Sequence, residues 1–288
     1  MQFRKRENGG IVLIEVKNLQ KSKKENPVVR NVSFKLVNGA VYGIYDTDET
    51  ADHTLLALLA GALLPDGGSV RVNGFDTAKD PVKARDCIGY LPHQMSPYPD
   101  MTPEEYLTFV ADLRGIDYED GVRIVHELLN DAELRGRKKL LCSNLSDAEK
   151  KRLCLAQALV GDPEILILNN PTDSLQERDR NDMLDRISYL AESKTIFLGS
   201  DSPSELLSVC DSVIVLTNGE LDGIYDIQDP SLKELLSNKT DAAKTDGFLP
   251  LHRGAKNRKN RRKPYSPPKK AGAYEIIDDS HETEDNQT

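Results

Sequence analysis

Residues 144–171 read NLSDAEKKRLCLAQALVGDPEILILNNP, and this stretch decides the fold. Apolar residues recur at helical spacing over 146–160, which predicts an amphipathic helix. Asp162-Pro163 breaks it. Glu164–Leu168 is then a continuous apolar run, the mark of a strand buried on both faces, and Asn169-Asn170-Pro171 ends it. A helix feeding a fully buried strand is the repeating unit of a parallel sheet covered by helices.

The same alternation extends outward in both directions. Upstream, Ile11–Val16 and Val32–Val37 read as strands, and Asn38-Gly39 is a turn before the apolar strand Ala40–Tyr45. An acidic loop, Asp46–Asp52, leads into a helix over Thr54–Leu63. Ser69–Val72 and Ile88–Leu91 are short strands, and 103–135 has helical periodicity with Pro103 suited to a first turn. Downstream come a helix over Asp179–Glu192, a strand at Thr195–Leu198, a helix at Ser204–Leu207 and a last buried strand, Val213–Leu216. The periodic pattern ends near residue 237. The stretch 255–272 is rich in Lys, Arg and Pro and 275–288 is acidic, so 237–288 is expected to be a disordered basic-then-acidic tail.

Charge narrows the function. The 288 residues carry a net −9. Residues 253–288 hold nine bases against six acids, so 1–252 carry a net −12. An acidic body argues against a sequence-blind nucleic-acid binder, and no specific nucleic acid is expected. No apolar run approaches the ~20 residues that span a bilayer, and the N-terminus lacks a secretion signal. The cysteines, Cys87, Cys142, Cys154 and Cys210, form no CxxC pair and read as reduced thiols of a cytosolic protein.

Six blocks carry a family resemblance: VSFKLVNGAVYGI (32–44), LLPDGGSVRVNG (63–74), IGYLPHQMSPYPDMTPEEYL (88–107), NLSDAEKKRLCLAQALVGDPEILIL (144–168), NNPTDSL (169–175) and CDSVIVLTNGEL (210–221). In this order they resemble the nucleotide-binding subunit of an ATP-binding-cassette (ABC) transporter. The resemblance implies an α/β, P-loop NTPase-like cassette over 11–236. It implies a mixed core sheet, an antiparallel β subdomain and an inserted helical subdomain at about 101–160. It also implies ATP and Mg²⁺ as ligands, a membrane permease subunit and a second cassette as partners, and a place on the inner face of the membrane.

At the motif positions the sequence departs from that pattern. The family's phosphate loop, GxxxxGK[ST], curls backbone N–H groups around phosphates, with Lys neutralising charge and a hydroxyl holding Mg²⁺. Here the stretch reads Asp46-Thr47-Asp48-Glu49-Thr50-Ala51-Asp52-His53-Thr54. Asp46 and Ala51 stand at the motif glycines, Asp52 at the Lys and His53 at the Ser/Thr. Asn169 and Asn170 stand where the resemblance places the Mg²⁺-positioning Asp and the water-polarising Glu, and an amide is no general base. Asp201 takes the switch-histidine position. The signature segment is Leu145-Ser146-Asp147-Ala148-Glu149, with Ala148 for a glycine and Glu149 adding charge. Lys23 is nearest to the adenine-stacking aromatic, and the dimer-contact loop reads Asp173-Ser174-Leu175-Gln176. Gln94 alone matches the glutamine whose loop couples cassette to membrane subunit.

These departures predict a non-catalytic structural or regulatory transport subunit, with no catalytic residue intact and no cofactor expected. Two alternatives stay open: a soluble scaffold on the same fold, and an active ATPase. For the acidic loop the readings are a solvated surface loop, a divalent-cation site of Asp46, Asp48, Asp52 and His53, or weak nucleotide binding in an altered pose. The Ca²⁺-loop spacing fails at Ala51, where a glycine is needed, so no metal is assigned. The tail reads as a linker, an electrostatic anchor on an anionic membrane surface, or, least well, a nucleic-acid contact.

Overall fold

The computed structural model describes residues 12–47, 51–243 and 274–276. A long hairpin opens the chain, β1 (Val12–Lys23) and β2 (Asn26–Val37). Both strands run further than the apolar pattern predicts. Their turn is Lys24-Glu25, each with positive φ (47° and 69°). A charged pair in that conformation lacks the Asn-Gly or Asp-Gly signature by which such turns are recognised. Next come β3 (Val41–Asp46), α1 (Asp52–Leu59), β4 (Gly67–Val72) and β5 (Phe75–Asp76), then α2 (Pro81–Asp86) and β6 (Ile88–Leu91).

The helical periodicity over 103–135 resolves into α3 (Pro103–Leu113) and α4 (Tyr118–Asp131), separated at Gly115, whose φ of 69° a helix cannot continue. Then follow α5 (Asp147–Leu159), β7 (Ile165–Asn169), α6 (Glu177–Leu190), β8 (Thr195–Gly199), α7 (Pro203–Val209) and β9 (Ser212–Thr217). Val213–Leu216 is not the last strand, because Asn218-Gly219 turns the chain into β10 (Glu220–Asp226), an edge strand too polar to stand out. The helix α8 (Pro230–Ala243) crosses the expected boundary at 236. Within the expected tail, β11 (Tyr274–Ile276) pairs with β2, and 244–273 and 277–288 lie outside the described residues.

Two sheets result. The first is antiparallel, in the order β11-β2-β1-β4-β5. The second has the order β10-β9-β3-β8-β7-β6 and is parallel except for β10 against β9. Every residue of β3, β7 and β8 is buried, which is why these strands read as unbroken apolar runs. One core lies between the sheets and around α1, with Phe34, Leu55 and Phe197; Tyr42 stacks on Phe197 at 5.4 Å. A second lies on the other face of the parallel sheet, with Leu168, Met183 and Leu198. A third holds the helical subdomain together through Tyr106, Leu129 and Leu153. Helix α5 serves two of them: Cys154 and Leu155 face the sheet, Leu153 and Ala156 the helices.

The seam between α5 and the sheet tolerates no extra atom. A Cβ on Gly89 of β6 would collide with the Ala158 carbonyl oxygen and lie 2.8 Å from Leu166 Cδ2 and 2.9 Å from Pro163 Cγ. Gly89→Ala is therefore expected to cost about 3 kcal/mol, the upper range for overpacking. Its urea midpoint should fall with an unchanged slope; an unchanged midpoint would show that the helix moves away freely.

Candidate functional site

The site residues collect at the carboxyl edge of the parallel strands, where ligands of such sheets bind. Asp46 ends β3, Asn169 ends β7, Asp201 follows β8, and Gln94 follows β6. Asp52, His53 and Thr54 form the first turn of α1, while Asp48, Glu49 and Thr50 lie outside the described residues.

The loop closes on itself. Asp46 is buried, and its Oδ2 accepts a 2.7 Å hydrogen bond from the backbone N–H of Ala51. The side chain of Asp52 is 5% exposed and sits beside His53, with Oδ2 3.5 Å from Nδ1. Burial raises the Asp52 carboxyl above its usual range, His53 opposes this, and Asp201 and Asp46 add to it. Across the cleft, Asn170 has a positive φ (48°); its N–H donates to the Gly199 carbonyl oxygen at 3.0 Å and its Nδ2 to Asp201 Oδ2 at 2.8 Å. Lys151 Nζ lies 3.4 Å from the Asn170 carbonyl oxygen. Asn169 hydrogen-bonds the hydroxyl of Tyr90, which burial raises in pKa.

A shallow cleft of about 340 Å³ opens here, lined by His53, Tyr90, His93, Gln94, Met95 and Asn169. The His53 and His93 rings lie 4.3 Å apart. Several polar atoms around it are buried without a hydrogen-bond partner: Asp52 Oδ1, His53 Nδ1, His93 Nδ1, Asn169 Oδ1 and Asn170 Oδ1. A larger hollow of about 470 Å³ near Arg30 and Asp222 contains none of the site residues.

The signature segment finds its partners in the helical subdomain. Leu145 packs in the third core. Ser146 caps α5: its hydroxyl accepts from the Glu149 N–H at 3.2 Å, and Glu149 Oε2 accepts from the Ser146 N–H at 2.9 Å. Arg137 Nε also reaches Glu149, at 3.0 Å. Burial pushes the Glu149 carboxyl up, but these donors outweigh it and hold it below the usual range. Glu149 thus has a local structural role that the motif comparison does not reveal.

Sequence reasoning also missed a buried acid. Glu205 of α7 is 5% exposed, and its Oε2 accepts from Thr172 Oγ1 at 2.7 Å and Ser200 Oγ at 2.6 Å. Arg180 Nε stands 3.3 Å from its other oxygen. One carboxylate thereby ties the loop carrying Asn170 to the loop carrying Asp201. No motif marks it; the sole signal is an acid within a short apolar helix.

With this geometry in hand, the likeness to known proteins is informative. A family profile described as "ABC transporter" matches residues 29–173, just over half of the chain. Nod factor export ATP-binding protein I of Burkholderia orbicola (strain AU 1054) is 31% identical over 207 residues, covering 72% of this chain and 68% of that protein. The chain belongs to the ABC transporter family. This ABC chain is also 26% identical over 210 residues to linearmycin resistance ATP-binding protein LnrL of Bacillus subtilis (strain 168), covering 73% of it and 68% of the relative. Its fold matches a solved ATP-binding subunit of an ABC transporter with a TM-score of 0.68 at 23% identity, covering 79% of this chain and 99% of that one. A dimeric bacterial ABC transporter cassette, MJ0796, gives 0.68 at 21% identity, covering 75% and 100%. The cassette fold, with its mixed sheet, antiparallel sheet and helical subdomain, is thereby established. Among the described residues no helix is long and apolar enough to cross a membrane.

Proposed function

We propose that this ABC chain is a non-hydrolysing subunit of a membrane transporter, with a structural or regulatory task. One observation carries the reading. At the start of α1, where the family's loop offers N–H groups and a Lys to phosphate, this chain places the carboxylates of Asp46 and Asp52 with Asp201 close by. The Ala51 N–H is already taken by Asp46. Asn170 holds Asp201 and carries no charge with which to polarise water. Saturable ATP hydrolysis by the purified full chain, lost in Asn170→Ala, would overturn the proposal.

Docking supports the transport role. Gln94 has a positive φ (53°), and the segment 101–142 beyond it forms a helical face. Leu113 and Tyr118 are 71% and 76% exposed there, and Tyr98, just before it, is 54% exposed and packs edge-on against Tyr106 and Phe109. Exposed aromatic and apolar side chains of this size suit a protein contact better than open water. The partner is a permease subunit, at the cytoplasmic side of the membrane, with a second cassette, identical or different, completing the assembly. Leu113→Asp with Tyr118→Asp should cut co-purification of the membrane subunit at least about tenfold while leaving the circular dichroism unchanged. Undiminished recovery would place the contact elsewhere.

A further inference from the structure

The acidic loop holds a constellation that no spacing rule identifies. A carboxylate oxygen of Asp52, a ring nitrogen of His53 and a carboxylate oxygen of Asp201 all lie within 4.8 Å of one another. They come from two loops about 150 positions apart in the chain. Asp52 is nineteen-twentieths buried, and its Oδ1 has no hydrogen-bond donor. The buried Nδ1 of His53 makes no hydrogen bond and stands 3.5 Å from Asp52 Oδ2. Leaving a carboxylate oxygen buried and unanswered is costly, and a cation is one way of removing that cost.

The donor set selects the cation. Ca²⁺ and Mg²⁺ take six or more oxygens, with carbonyls and water completing the shell. An imidazole beside two carboxylates suits a zinc-class ion instead, at about 2.0–2.2 Å from each donor. Tetrahedral ligands at that distance stand about 3.4 Å apart, and Asp52 Oδ2 and His53 Nδ1 are already 3.5 Å apart. One neighbouring contact is of the kind that orients a metal ligand. Asn170 Nδ2 holds Asp201 Oδ2 at 2.8 Å, and the His93 ring lies 4.3 Å from that of His53. Asp201 is exposed, so an ion can reach the site from solvent. Asp46 is not in the ligand set, since its Oδ2 caps the Ala51 N–H.

We propose that Asp52, His53 and Asp201 together bind one divalent transition-metal ion of the zinc class, without nucleotide. The ion would pin the loop after β3 to the loop after β8 and neutralise the carboxylates between them.

The test uses the untagged full chain, stripped with EDTA and kept free of nucleotide, so its outcome is separate from that of the ATPase assay. Calorimetry with Zn²⁺ should give one ion per chain, with a rise in melting temperature, and Co²⁺ should show visible ligand-field absorption. His53→Gln and Asp201→Asn should each weaken Zn²⁺ at least about tenfold. Asp201 is exposed, so its variant reports on binding even if His53→Gln folds poorly. Cys87→Ser and His126→Gln should bind as the parent does. Absence of stoichiometric binding would overturn the proposal. So would binding that survives both ligand variants, or that vanishes in Cys87→Ser, or saturation by Ca²⁺ but not by Zn²⁺.

Discussion

Millimolar MgATP is expected to leave the melting temperature of the full chain unchanged, and no phosphate should be released above a no-protein blank. The physical basis is the sign of the charge at the start of α1. Two unit charges about 4 Å apart at an effective dielectric of ~20 interact by about 4 kcal/mol. Exchanging an attractive Lys for a repulsive Asp therefore costs several kcal/mol, and each ~1.4 kcal/mol is a decade in affinity. Asp46 and Asp201 stand close enough to perturb Asp52 and add to the repulsion. A ligand at a hundred times its Kd stabilises a protein by about 2.7 kcal/mol, whereas one far below its Kd does nothing measurable. The shift thus separates an ordinary cassette from this one. Asp52→Lys alone should not restore turnover, because Asn169 and Asn170 supply neither a charged Mg²⁺ ligand nor a base. A saturable shift with ATP in the unaltered chain would show that the acids have been neutralised and that nucleotide still enters.

Glu205→Ala is expected to be the most damaging polar substitution, lowering stability by about 3 kcal/mol. Two hydroxyls, Thr172 Oγ1 and Ser200 Oγ, would lose their acceptor in a buried setting, and Arg180 its ion pair. Each buried group left unsatisfied costs about 1–3 kcal/mol. Glu205→Gln keeps an acceptor oxygen and the side chain's shape, so its loss should be about half as large. Chemical denaturation checks both: midpoints should fall in that order with parallel slopes. Equal midpoints for the parent and Glu205→Ala would mean that the network contributes nothing. The Glu205→Gln variant also probes the site, because weaker Zn²⁺ binding by a chain that is still fully folded at the assay temperature would show that this carboxylate positions the loop of Asp201.

The central elements were legible because burial writes itself into composition. A strand covered on both faces must be apolar throughout, so Ile165–Leu168 and Val213–Leu216 could be found without coordinates. Thr102 with Glu105 and Ser146 with Glu149 form reciprocal caps at helix starts, a local signal that periodicity alone does not use. Edge elements were illegible for the opposite reason. Half-exposed strands such as β10, and a turn made of Lys24 and Glu25, carry no composition that distinguishes them from loop.

By itself the sequence determined the family, the succession of core strands along the chain, and the chemical character of the loops: acids near residue 46, amides at 169 and 170, an acid at 201. Those are properties of residue type, which a linear text preserves. Tertiary structure alone decided which of these groups meet. It turned the Asp46 carboxylate onto the Ala51 N–H, drew Asp201 to Asn170 and towards Asp52 and His53, set His93 against His53, and joined two loops through Glu205. Proximity across the carboxyl edge of a parallel sheet depends on strand order, and strand order is a product of the packed fold rather than of any local pattern.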